Sequence, residues 1–222
     1  MKFKRILAAV LSCALIATSL MAVTGCSDET TKKEDGTYTV GICQLVQHPA
    51  LDAATEGFKK ALTEKLGDKV KFDEQNASGD SATCTTIVNQ FKSSNVDLIM
   101  ANATPALQAA ASATADIPIL ATSITEYGVA LGIDNFDGKT GINVSGTSDL
   151  APLDKQAAMF KELLPDAKSI GIVYCSNEAN SKYQVNVVKA ELEKAGLTVT
   201  EYSFADSNDI AQVVTKACEE VD

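Results

Sequence analysis

The residues best suited to hold a molecule lie where strand-like runs give way to helix-like ones. Gln47 and His48 follow the first such run, and Thr104 and Pro105 open an alanine-rich segment. Thr125 and Asp149 follow two later runs, and Glu178, Asn180 and Ser181 lead into a long helical stretch. Short hydroxyl and amide side chains, with the unpaired N–H groups of a helix start, donate to an anion, and the helix dipole favours negative charge there. The carboxylates of Glu178 and Asp149 would receive a cation, while His48 offers one donor and one acceptor. The same types also serve as plain helix caps or solvated acids, and the sequence leaves both uses open. Together the set suits a non-covalent grip on a small polar solute.

Bond-making chemistry finds less support. There is no G-x-S-x-G, and Cys175 would have only His48, the single histidine, as a base. Asp137, Gly138, Lys139 and Thr140 end like a phosphate-binding loop, but the first glycine of that pattern would fall at Ile133, and Gly132 misses it by one. No dinucleotide-type glycine set follows the first strand, so neither a nucleotide nor another cofactor is expected. Of the 6 cysteines, Cys43, Cys84, Cys175 and Cys218 are widely spaced without a C-x-x-C; with one histidine they make no zinc set. Buried free thiols are the expectation for them, although an oxidising compartment would permit disulfides.

The amino terminus speaks to location. Lys2, Lys4 and Arg5 precede an uncharged apolar run over 6–23, which closes on Val23, Thr24, Gly25 and Cys26. That layout is a secretory leader over 1–25, followed by a polar tether over 26–37. Its ending resembles the site at which bacterial lipoproteins receive lipid, here Cys26, and a retained membrane helix is the alternative. The leader carries three basic residues and no acid, so its removal leaves the chain more negative than the formal −10. Such a chain is repelled by phosphate backbones, which excludes nucleic acid as a partner.

The candidate residues need elements to position them. Strand-type runs fall at 38–45, 70–74, 96–101, 117–122, 142–146, 169–174 and 198–204. Helical spacing falls at 49–66, 81–94, 106–115, 153–164, 179–195 and 209–220, and 125–140 shows little periodicity. Apolar strands alternating with helices predict an α/β fold of parallel sheets covered on both faces. Ligands in such folds sit outside the carboxyl ends of the strands, which makes 46–48, 103–105, 123–128, 147–149 and 175–181 the loops of interest. A lobe boundary near 147–149 divides 38–147 from 148–222. The second lobe has two strands after Lys168, too few to cover their own edges, so an incomplete lobe is expected.

The segments VGICQLVQHPALDAATEGFKKAL (40–62), VDLIMANATPALQAAA (96–111), DIPILATSIT (116–125), NVSGTSD (143–149), KELLPDAKSIGIVY (161–174) and NEANS (177–181) carry a resemblance. In this order they resemble the ABC transporter substrate-binding lipoproteins, in the branch that includes tryptophan and tyrosine binders. The resemblance implies a two-lobed type I periplasmic-binding-protein fold that closes on a small solute and delivers it to an ABC permease and ATPase complex. It implies an amino acid as ligand, an aromatic one favoured, with branched amino acids, nucleosides and small sugars left open. By its own chemistry Tyr127 offers a wall for an apolar or aromatic side chain, through stacking or edge contact. The resemblance implies further sequence, with more ligand contacts, after Asp222. Glu126 and Tyr127 stand where relatives commonly have Asp-Pro, which bears on ligand identity. Thr104 and Asn180 are expected to face one another across the cleft. The alternative is the same fold used as a sensor, reporting occupancy to a membrane kinase or chemoreceptor.

Overall fold

Strand β1 (Tyr38–Gln44) is the middle of the architecture's logic, because its two faces feed two different cores. The computed structural model describes residues 36–205 and 207–222; the leader, Cys26 and nearly all of the tether lie outside them. β1 pairs in parallel with β2 (Val70–Asn76) on one side and β3 (Leu98–Asn102) on the other. β4 (Ile119–Ile124) and β5 (Val144–Ser148) extend a five-stranded sheet in the order β2-β1-β3-β4-β5. All of its pairings are parallel.

Alternation along β1 sends Val40 and Ile42 to one face, where Val70 and Met100 join them beneath Phe58 and Leu62 of helix α1 (Pro49–Leu66). Cys43 faces the other side, under α2 (Ser81–Ser93), α3 (Thr104–Ala113) and α4 (Tyr127–Leu131). α2 lies so close that a Cβ at Gly41 would fall 2.6 Å from ring atoms of Phe91. The small side chains of α3 serve the same end: Ala106 and Ala110 are wholly buried. His48 caps α1, its Nδ1 accepting from the Ala50 N–H at 3.2 Å, and Pro49 occupies the first turn, where no donor is needed.

The second sheet pairs β6 (Ser169–Cys175) in parallel with β7 (Thr198–Phe204). Helices α5 (Leu153–Leu163) and α6 (Ala179–Lys194) bury Ala157 and Leu192 against Ile170, Ile172 and Val199. Helix α7 (Ile210–Glu220) packs on both strands, with the Tyr202 hydroxyl bonded to Glu220 at 2.9 Å. α4 touches α6, so the two sheets communicate through helix contact as well as through the chain.

Three strands begin about two residues later than their apolar runs. Val96 is buried yet outside the ladder, since Asp97 rather than Val96 gives the first backbone bond to β1, through the Thr39 carbonyl at 2.8 Å. Burial and pairing are separate events, and an apolar run reports only the first. The aperiodic stretch 125–140 contains α4, which its length of 5 residues hides from any periodicity. Glu126 caps it by accepting from the Val129 N–H, and Gly132 ends it with a left-handed φ of 66°. Just before it, Ser123 takes φ 58°, and the pairing of β4 with β5 shifts register there.

Candidate ligand-binding cleft

The carboxyl ends of β1, β6 and β7 open onto a cavity of about 1180 Å³. On the lobe 1 side its wall is Leu45 and Val46 after β1, Ser78, Gly79, Asp80 and Ser81 between β2 and α2, and Pro105 at the start of α3. Facing them are Tyr174 and Cys175 at the end of β6, Asn177 and Glu178 in its loop, and Ser181 and Gln184 on α6. Phe204 closes the side beyond β7. The placement follows from topology: in parallel sheets every strand-to-helix loop emerges at the same edge.

Its chemistry is one-sided. Asp80 and Glu178 are the carboxylates of the wall, and no Lys, Arg or His lines it among the described residues. Asp80 is pinned as the cap of α2, Oδ1 accepting from the Ala82 N–H at 3.0 Å and Oδ2 from Thr83 Oγ1 at 2.7 Å. Those bonds, the Thr83 hydroxyl first, hold its carboxyl below the usual range, so it keeps its charge into more acidic solution. Glu178 Oε2 accepts from Ser181 Oγ at 3.0 Å and from Asn180 Nδ2 at 3.4 Å, leaving the helix N–H groups behind it to other partners. Hydroxyls at Ser78, Ser81 and Ser207 supply neutral donors, the Ser181 proton being spent on Glu178. Two aromatic rings, Tyr174 and Phe204, supply apolar wall. The Tyr174 hydroxyl is tied to Glu201 at 3.1 Å, and that carboxylate is held by Lys189 at 2.7 Å.

Of the nine residues marked in the sequence, the cleft wall includes Pro105, Glu178 and Ser181. Thr104 is almost fully buried, and its neighbour Pro105 takes the place expected of it. Asn180 likewise yields to Ser181: it is half-buried, with Oδ1 unpaired, and helical geometry turns consecutive residues to different faces. Gln47 lies on a smaller cavity of about 270 Å³, shared with Gln44, Asp52 and Thr55. His48 is exposed and spent on capping α1. The Thr125 carbonyl accepts from Ser148 Oγ at 2.9 Å, and the exposed Asp149 donates its N–H to the Ile124 carbonyl, so both close the β4–β5 end of the sheet instead.

Tyr127 is not a wall of this cleft. It is buried, stacked with Phe136 at 6.3 Å between ring centroids, with its hydroxyl 3.2 Å from the carbonyls of Ala121 and Thr147. Burial first, and the charge of Asp149 second, push its hydroxyl up to about 12. Gly146 makes room for it: a Cβ there would collide with the Ala121 carbonyl and the Tyr127 hydroxyl.

The β2–α2 loop, absent from the expected set, contributes Ser78 through Ser81. Its signal was present as Asn76-Ala77-Ser78-Gly79-Asp80, a turn cluster ending in a helix cap. Backbone strain also gathers at this edge. Ser78 stands at φ 55°, and Ala103, between β3 and α3, at φ 90° and ψ 158°, a conformation favoured by glycine.

The model of the family described as ABC transporter substrate binding protein matches residues 39–222. A tyrosine-binding protein of Clostridioides difficile (strain R20291) is 39% identical over 233 residues, covering 100% of this chain and 66% of its own length. An ABC domain from Streptococcus pneumonia, solved in complex with L-Trp, is 39% identical and superposes with a TM-score of 0.78 over 84% of this chain and 63% of that one. The ligand-free, open structure of a Clostridium difficile substrate-binding protein with adhesive properties is 41% identical, with a TM-score of 0.57 over 83% and 63%. The chain thus spans a little under two thirds of the length of these relatives.

Proposed function

This chain belongs to the ABC transporter substrate-binding protein family, and from that premise we propose that it is the solute receptor of an importer. Its lobes, 38–147 and 148–222, close on an α-amino acid, an aromatic one favoured, and present it to an ABC permease and ATPase complex. The observation that carries the reading is the cleft itself: two carboxylates, four serine hydroxyls and two aromatic rings face one cavity, with no basic side chain among the described lining residues. An acidic wall favours a ligand with an ammonium group, serine hydroxyls and helix-start N–H groups suit its carboxylate, and the rings of Tyr174 and Phe204 suit an apolar side chain.

Closure finds support in the two solved relatives. At similar identity and coverage, the chain superposes better on the L-Trp complex than on the open, ligand-free structure. That difference fits lobes whose relative placement changes with occupancy.

The test is a thermal-shift screen of the full chain against the amino acids, with des-amino and decarboxylated aromatic analogues as controls. An α-amino acid present at about a hundred times its dissociation constant stabilises the folded state by about 2.7 kcal/mol. No shift with any amino acid removes the substrate class.

The receptor is placed on the outer face of the membrane by a lipid on Cys26, after removal of 1–25. Cells fed radioactive palmitate incorporate label into the wild-type chain and none into Cys26→Ala. Equal label in both would leave the chain without this anchor.

A further inference from the structure

Cys43 and Cys84 are far apart in sequence but adjacent in the fold, and both are wholly buried. Cys43 is the next-to-last residue of β1, and Cys84 lies in the first turn of α2. Their meeting is a consequence of how α2 crosses the sheet. α2 begins at the carboxyl edge and runs back against the direction of β1. Its Phe91 therefore lies over Gly41, and Cys84, two turns earlier on the same face, lies over Cys43, two residues later on the strand. The backbone ties the same region together. The Ala77 N–H donates to the Gln44 carbonyl at 2.9 Å, the Gly79 N–H to the Leu45 carbonyl at 2.8 Å, and the Cys84 N–H to the Asp80 carbonyl at 3.1 Å. The Cys84 thiol, and after it burial, pushes the Cys43 thiol far above the ordinary thiol range.

We propose that Cys43 and Cys84 are a disulfide site that fastens the lobe 1 wall of the cleft to the central sheet. The bond would join β1 to α2 directly behind Leu45 and Ser78–Ser81, the residues that face the cavity. The inference does not depend on which solute binds. The reaction is thiol–disulfide exchange with a small disulfide oxidant. One thiolate attacks the oxidant's S–S bond, forming a mixed disulfide and releasing one thiolate. The second cysteine's thiolate then attacks the mixed disulfide, forming the Cys43–Cys84 bond and releasing the other. Two protons leave the cysteines, two electrons pass to the oxidant, and oxidised glutathione ends as two reduced molecules. Burial and the raised Cys43 thiol keep this exchange slow in the closed fold, so it proceeds when α2 lifts, or during folding before the core closes.

The full chain, first reduced, is held with oxidised glutathione in buffer and in urea below the unfolding transition. Remaining thiols are alkylated under denaturing conditions and the peptides mapped. The expected product in the urea arm is a peptide pair joined through Cys43 and Cys84, with Cys175 and Cys218 alkylated. The joined chain unfolds at higher urea than the reduced chain, and reduction reverses the gain; Cys84→Ala shows neither the joined peptide nor the gain. Alkylation or glutathionylation of Cys43 and Cys84 separately in both arms overturns the proposal. So does Cys43 joined to Cys175 or Cys218.

Discussion

Glu178→Gln weakens binding of an aromatic α-amino acid by about 10- to 100-fold while leaving the melting temperature of the ligand-free protein unchanged. The size follows from removing one charge-assisted hydrogen bond, about 1.5–3 kcal/mol, at about 1.4 kcal/mol per tenfold. The substitution keeps the shape of the side chain and an acceptor oxygen for Ser181 Oγ, so the local geometry survives. Calorimetric titration of wild type and variant with the amino acid and with its des-amino analogue forms a cycle. If Glu178 receives the ammonium group, the analogue binds both proteins alike and the amino acid alone loses affinity. Equal losses for both ligands would mean that Glu178 only shapes the loop. A larger loss in Asp80→Asn than in Glu178→Gln would move the ammonium site to lobe 1, where Asp80 is already held by Ala82 and Thr83.

The largest effect on stability belongs to Phe91→Ala, expected to cost about 3–5 kcal/mol. Phe91 is wholly buried, its ring is pressed against the β1 backbone at Gly41, and Gly41 has no side chain of its own to fill the void. Domains are stable by about 5–15 kcal/mol in total, which makes this a large share. Urea titration should show a lower midpoint with an unchanged slope. A loss under about 1 kcal/mol would mean that α2 does not rest on β1 as described. Because α2 carries Asp80 and Ser81 at its start, the variant should also lose ligand affinity beyond what its unfolded fraction explains.

Much of the architecture was legible because it depends on patterns with a fixed period. Helical spacing marked α1 over 49–66, and the alanine-rich segment opened by Thr104 and Pro105 marked α3. The order of strands and helices led to a parallel α/β fold, and the five-stranded sheet has that form. Side-chain direction was not legible. Thr104 and Pro105, or Asn180 and Ser181, are equivalent to a reading that places loops, and the turn of the helix decides which of the two faces the cavity. Tyr127 was misplaced for a related reason: α4 and the register shift at Ser123 carry it into the core, and neither leaves a periodic trace. Asp80 was within reach of sequence reasoning, since a turn cluster closing on an Asp cap marks a strand-to-helix loop as clearly as 103–105 does.

The exclusive use of parallel pairing among the described strands bears on how the chain reaches this state. Paired residues stand between about 20 and 60 positions apart, and no tight hairpin brings any two described strands together early. Each ladder therefore has to close a long loop, at an entropic cost, before its contacts repay it. A polypeptide of this kind assembles its sheets slowly and stays unfolded for longer, a useful property for any chain that must be threaded through a narrow passage before it folds.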